Sequence, residues 1–168
     1  MYNNVMQEAF VKRAKEIIEK IIYITIATVT PEGKPWNSPV YSAYDKDTYT
    51  FYWVSPRATE HSKNIEANPD VFLVIYDSTV PEGTGEGVYV QAKASVVTDP
   101  KEMAKAIYFL YTRKKKKLRD VSHFLDLRPR RIYKAVPEKV WLNSSEKVGD
   151  EDLDTRVEVE LTHNHEQQ

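Results

Sequence analysis

The chain has 168 residues, with 24 Lys and Arg against 25 Asp and Glu, and no cysteine. That length suits one compact domain, a formal charge of −1 gives no field to draw it onto nucleic acid or anionic lipid, and the missing thiols exclude a disulfide framework, a thiolate metal site and a cysteine nucleophile. Charges scattered from Glu8 to Lys20 exclude the uninterrupted apolar core of a signal peptide, and the apolar run 21–29 is too short to cross a bilayer as a helix, so the expected place is the cytoplasm with no membrane partner.

Val5, Met6, Ala9, Phe10, Ile17, Ile18 and Ile21 recur at three- and four-residue steps and predict an amphipathic N-terminal helix. β-Branched residues dominate 21–29, and Pro31-Glu32-Gly33-Lys34 turns the chain into a second strand over 35–44. Asp45-Lys46-Asp47 leads to a third strand over 48–54. Residues 58–68 read as a short helix stopped by Pro69, and 71–76 as a strand buried on both faces. Residues 78–86, with Gly83 and Gly85, read as a mobile surface loop before an alternating strand over 88–96. Asp99-Pro100 starts a helix through Ala104, Ile107, Tyr108 and Tyr111. A last strand over 132–136 continues past Pro137 to 140–142. One domain, 1–148, is thus followed by an acidic tail, 149–168, either frayed or laid across a neighbour. Mostly antiparallel hairpins with short helices between the later strands predict an α+β fold around a closed or half-closed barrel.

Where the third strand hands over to the second helix, Ser55, Arg57, Thr59, His61, Ser62 and Lys63 gather three hydroxyls and three cations at a helix start. Unpaired N–H groups and a positive dipole end make that junction a candidate phosphate seat. The same residues also suit an ordinary exposed loop and helix, and composition does not decide between the two. Trp36 reads as a core or interface aromatic. Trp53, at the end of the strand feeding the seat, and Trp141 suit either the core or a flat heterocycle attached to that phosphate. Residues 114–117, all lysine and flanked by Arg113 and Arg119, read as a solvated helix C-terminus rather than a nucleic-acid patch. His163 and His165 have no third metal ligand near them in sequence, and Ser122, His123 and Asp126 are too close on one segment for triad geometry.

The chain resembles the pyridoxamine 5′-phosphate oxidase-like family of FMN-binding split barrels over about residues 17–142. The resemblance rests on Thr25-Ile26-Ala27-Thr28-Val29 with Pro31, Gly33 and Pro35, on Asn37-Ser38-Pro39-Val40, on Phe51-Tyr52-Trp53-Val54-Ser55 followed by His61-Ser62-Lys63-Asn64-Ile65 and Asn68-Pro69, and on Val140-Trp141. It implies a six-stranded antiparallel split β-barrel with peripheral helices, forming a homodimer with one FMN in each of two clefts between subunits. The family's flavin contacts fall here on Asn37, Ser38, Pro39 and Val40 and on Trp53, Val54 and Ser55. Its phosphate contacts fall on Thr59, His61, Ser62 and Lys63, with Gln91 and the partner's Trp141 near the ring. The true oxidase's Arg-Leu-His-Asp-Arg pattern is missing after Trp141, where Leu142-Asn143-Ser144-Ser145 follows, so its grip on a phosphorylated vitamin is not carried over. Asn37 and Ser42 replace second-strand arginines, leaving Arg57, His61 and Lys63 to meet the phosphate charge. The implied activity is a flavin-dependent oxidoreductase acting on a small molecule. The alternative is a non-catalytic carrier of flavin, deazaflavin or heme.

Overall fold

In the computed structural model, which describes residues 2–125, 128–148 and 151–162, the chain runs α1 (Tyr2–Lys20), β1 (Tyr23–Val29), β2 (Pro35–Tyr44), β3 (Phe51–Pro56), α2 (Glu60–Ala67), β4 (Asp70–Tyr76), β5 (Gly87–Val96), α3 (Pro100–Arg113), a 3-10 turn Val121–Phe124, β6 (Arg130–Val148) and β7 (Glu151–Glu158). The pairings are antiparallel in the order β3-β2-β1-β4-β5-β6-β7, and β3 also pairs with β6. That extra pairing closes six strands into the expected α+β barrel. A seventh strand, β7, hangs on β6 alone, so 151–158 of the stretch read as a tail is strand. Asp126, His163 and His165 lie outside the described residues.

Alternation along the strands sorts side chains between two cores. Ile24, Ile26, Phe51, Trp53, Leu73 and Tyr133 point into the barrel. Ala43, Tyr52 and Ile132 point outward beneath Met103, Ala106 and Leu110 of α3. Asp99 caps that helix, accepting from the Glu102 N–H at 2.7 Å, with Pro100 as its first residue. Helix α3 therefore covers β2, β3 and β6 and leaves the outer side of β1, β4 and β5 bare. Strand β4, expected to be buried on both faces, buries Val71, Leu73 and Ile75 while Phe72 and Val74 are half-buried.

The two ends of the barrel are closed by helices. At one end α1 buries Ala14, Ile17 and Ile18, while Val5 and Met6 of its predicted apolar face are 66% and 52% exposed. Arg113, the last residue of α3, donates from Nη2 to the carbonyls of Ile18, Glu19 and Ile21 at 2.8–2.9 Å and lies 5.4 Å from the Tyr44 ring centroid. Its guanidinium thus satisfies the carbonyls that the C-terminus of α1 leaves unpaired. The loop 78–86 is tied rather than free: Lys20 pairs with Asp77 at 2.9 Å, Arg13 with Glu86, and Asn143 with the Gly87 N–H and the Gly85 carbonyl. No described helix is long and apolar enough to cross a membrane.

One irregularity decides which way the last strand faces. Against β5, Ala92 pairs with Pro137 but Gln91 pairs with Lys139, so Glu138 is an extra residue. Upstream of this bulge Tyr133 and Ala135 point inward; downstream Val140 and Leu142 do, and Trp141 is turned out.

Removing the Arg113 guanidinium strands three carbonyls in partly buried surroundings. Arg113→Ala is expected to lower stability by about 2–4 kcal/mol, read as a lower urea midpoint at unchanged slope; a midpoint equal to wild type refutes the role given to this side chain.

Candidate functional site

Helix α2 lies across the barrel end opposite α1, and the side it buries is polar: His61 is 8% exposed, and Ser62 and Asn64 are fully buried. Burying polar groups is tolerable where each finds a partner. Asn64 Nδ2 donates to Thr28 Oγ1 on β1 at 3.0 Å. His61 Nε2 lies 2.8 Å from Ser55 Oγ on β3 and 3.2 Å from Thr59 Oγ1, and Nδ1 lies 3.2 Å from Ser38 Oγ on β2. Ser38 Oγ also accepts from Trp36 Nε1 at 3.1 Å. Each ring nitrogen thus has a serine hydroxyl within hydrogen-bond distance, so either neutral tautomer donates through one nitrogen and accepts through the other. Ser62 faces the Tyr133 hydroxyl of β6.

This environment changes the part assigned to His61. Burial pushes its pKa below the ordinary 6.5, so the ring is neutral at pH 7 and supplies no cation to an anion seat. The cations are Arg57 and Lys63, both facing solvent. Their partners, Glu66 and Glu60, stand 3.9 Å away across exposed surface, contacts too weak to hold either side chain in place. Thr59 does not cap α2. Its hydroxyl meets the Pro56 carbonyl at 2.9 Å and Ser62 Oγ at 2.8 Å. The helix therefore starts with its dipole end unmasked by any side-chain acceptor at the cap. The groups there that could hold a phosphate are Arg57, Lys63 and the helix start, with Glu60 as the one acid of the first turn.

The other candidate residues divide between the two sides of the sheet. Trp53 is fully buried inside the barrel, stacked on Tyr133 with ring centroids 5.7 Å apart at 15°, and offers no surface for a heterocycle to stack on. Val40 also points inward. Val54 packs beneath α3. Asn37 and Pro39 are exposed on the outer side of β2. Gln91 and Trp141 share that outer side, in rows reading Asn37, Ala27, Phe72, Gln91 and Pro39, Thr25, Val74, Tyr89, Trp141. Trp141 stacks on Phe72 at 6.2 Å, and the Arg156 guanidinium lies 3.9 Å from the Tyr89 centroid. Tyr23 and Tyr76, 59% and 49% exposed, extend this bare aromatic face.

Ser38, Ser55, Thr59 and His61 thus meet in one cluster. Along the outer face Gln91 on β5 lies three strand spacings from β2, about 14 Å, and Trp141 on β6 lies four, about 19 Å. Sequence reasoning, which read Trp36 as a core or interface aromatic, passed over its link to the cluster: it is 47% exposed and bonded to Ser38, and its place two residues before Ser38 on one strand face was the available signal. It also passed over Thr28 and Asn64, whose pairing across β1 and α2 no local pattern announces.

The family model for pyridoxamine 5′-phosphate oxidase matches residues 10–143. A search among curated proteins finds no significant match. Among solved structures the chain is similar to HutZ, the heme storage protein from Vibrio cholerae, with a TM-score of 0.62 and 19% identity over 77% of this chain and 91% of that one. It is similar to a heme binding protein from Mycobacterium smegmatis, with a TM-score of 0.64 and 17% identity over 86% of this chain and 57% of that one. An F420 reductase aligns with a TM-score of 0.54 and 22% identity, over 75% of this chain and 94% of its own. At these identities the likeness concerns the fold.

A neutral buried imidazole links stability to pH. The folded chain resists protonating His61 and the unfolded chain does not, so its contribution is intact above pH 6.5 and declines as the pH falls below that value. His61→Gln is expected to flatten the fall of the urea midpoint between pH 7.5 and 5. A His61 proton resonance titrating at or above 6.5 in the native chain contradicts the neutral assignment.

Proposed function

This chain belongs to the pyridoxamine 5′-phosphate oxidase family, and we propose that within it the protein is an FMN-dependent oxidoreductase of a small molecule, working as a homodimer in the cytoplasm. The observation that carries the reading is the start of α2: an uncapped helix end flanked by Arg57 and Lys63, both held by long exposed contacts alone. Its donors suit a phosphate dianion. When bound, FMN supplies hydride or electron transfer. Arg57, Lys63 and the helix start hold the phosphate. The cluster of Ser38, Ser55, Thr59 and His61 fixes α2 against β2 and β3, so that the seat is rigid before the ligand arrives.

The bare outer face supports the homodimer. Residues expected near the ring, Gln91 and Trp141, stand away from the seat within one chain, and a second copy laid on this face brings its own Gln91 and Trp141 to the seat of the first. Aromatic side chains left open on a sheet suit burial by such a partner. The second reading, a non-catalytic carrier, rests on the heme proteins among the structural neighbours. A heme iron needs an unengaged axial ligand, and both ring nitrogens of His61 are occupied.

An absorbance and fluorescence titration with FMN, with hemin in parallel, separates these readings. Flavin binding with consumption of a reduced nicotinamide is the expected outcome; a Soret band without flavin uptake favours the carrier. The double variant Arg57→Ala/Lys63→Ala is expected to weaken FMN binding about tenfold or more. Wild-type affinity in that variant removes the proposed seat.

A further inference from the structure

Beyond Leu142, β6 leaves β5 and pairs with β7 alone, Asn143 with Arg156 through Val148 with Glu151. The result is an arm of two strands standing off the barrel. Two strands without a third or a helix beneath them are marginal in water, yet this arm exposes Leu153 at 55% on the side that continues the barrel's inner face. Its charge is one-sided: Glu146, Glu151, Asp154, Glu158 and Glu160 stand against Lys147 and Arg156. None of those acids makes an ion pair among the described residues.

The opposite pole lies where α3 ends and β6 begins. Lys114 sits between the rings of Tyr41 and Tyr111, 4.6 and 5.3 Å from their centroids. Burial first, and then the nearby charges of Lys116, Arg130 and Arg119, lower its pKa. Residues 115–117, all lysine, and Arg128 add to this corner, and among the described residues no salt bridge answers any of the seven cations. The two poles stand at the two ends of the single strand β6, Arg130–Val148, separated by up to roughly 60 Å of strand, and no ion pair joins them within the chain.

We propose that the β6–β7 arm is a clasp between subunits, the acidic arm of each copy lying on the basic corner of the other. A two-fold axis makes such a contact reciprocal, so one arm and one corner per chain are both satisfied and the assembly closes at two. Opposite poles also steer the copies into register as they meet. The inference rests on the homodimer of the proposed function and adds a second, electrostatic contact to the apolar face.

The test uses the full chain. Light scattering at low and high salt gives the dimer dissociation constant, and a zero-length carbodiimide applied to a mixture of isotope-labelled and unlabelled protein reports amide links between subunits. Mixed-label links from Glu151 or Asp154 to Lys115, Lys116 or Lys117 are expected. Glu151→Lys/Asp154→Lys and Lys116→Glu/Arg119→Glu are each expected to weaken the dimer about tenfold at low salt, with unchanged far-ultraviolet circular dichroism, and mixing the two variants is expected to restore both clasps, one between the unaltered arm and corner and one between the two reversed ones. A dimer indifferent to salt and to both reversals, without mixed-label links, overturns the clasp and leaves the apolar dimer standing. A monomer under all conditions overturns both. Binding of a short RNA duplex that the Lys116→Glu/Arg119→Glu variant abolishes, in a chain whose dimer ignores the arm reversal, overturns the clasp and gives the corner to a polyanion.

Discussion

The pairing of β3 with β6 is the constraint on which everything else depends. It converts a six-strand sheet into a ring and removes the two free edges of that sheet. Once the ring is closed, every strand has an inside and an outside, and alternation fills the inside with Ile24, Ile26, Leu73 and Trp53. Closure then leaves two open ends and an outer surface to be dealt with. Helix α1 takes one end with an apolar side and α2 takes the other with a polar one, while α3 covers half of the outside. The half it leaves bare is the aromatic face of β1, β4 and β5.

The difference between the two plugs explains where chemistry can sit. Helix α1 is held by apolar burial and, at its C-terminus, by the Arg113 guanidinium, so its polar ties fall on the helix end rather than on the side facing the barrel. A plug bonded through His61 to Ser38 and Ser55, and through Asn64 Nδ2 to Thr28, is tied to β1, β2 and β3 by directional contacts that a shift of the helix would break. The start of α2 is therefore held in a fixed position relative to β2 and β3. A rigid helix terminus with two loosely held cations beside it combines preorganised backbone with adaptable charge.

Much of this was legible in the sequence because it is local. The span of β2, the turn around Gly33, which sits at φ +80°, the Asp99 cap of α3 and the stop of α2 before Pro69 all follow from residues within a few positions of the feature. What was not legible depends on which element comes to lie over a strand. The run 71–76 is apolar at every position but its last, so its pattern is equally that of a strand buried on both sides; the missing cover over Phe72 and Val74 is a fact about where α3 goes. The surroundings of Trp36 and Trp53 were undetermined for the same reason. One is at the barrel's open rim and the other in its centre, and neither environment is written in the neighbouring residues. The charge of His61 was likewise beyond reach, since a residue type that can be a cation becomes a neutral ring only after burial among hydroxyls.

Glu138, the extra residue opposite the step from Gln91 to Ala92, acts on the chain as a phase shifter. Everything after it reads in the opposite parity from everything before it. Substitution at this position leaves the phase intact, whereas deleting one residue turns Trp141 into the barrel, Val140 and Leu142 out to solvent, and the two sides of the following hairpin over. In this stretch the number of residues carries more structural information than their identity, so substitutions at Glu138 should be tolerated far more readily than a change of length.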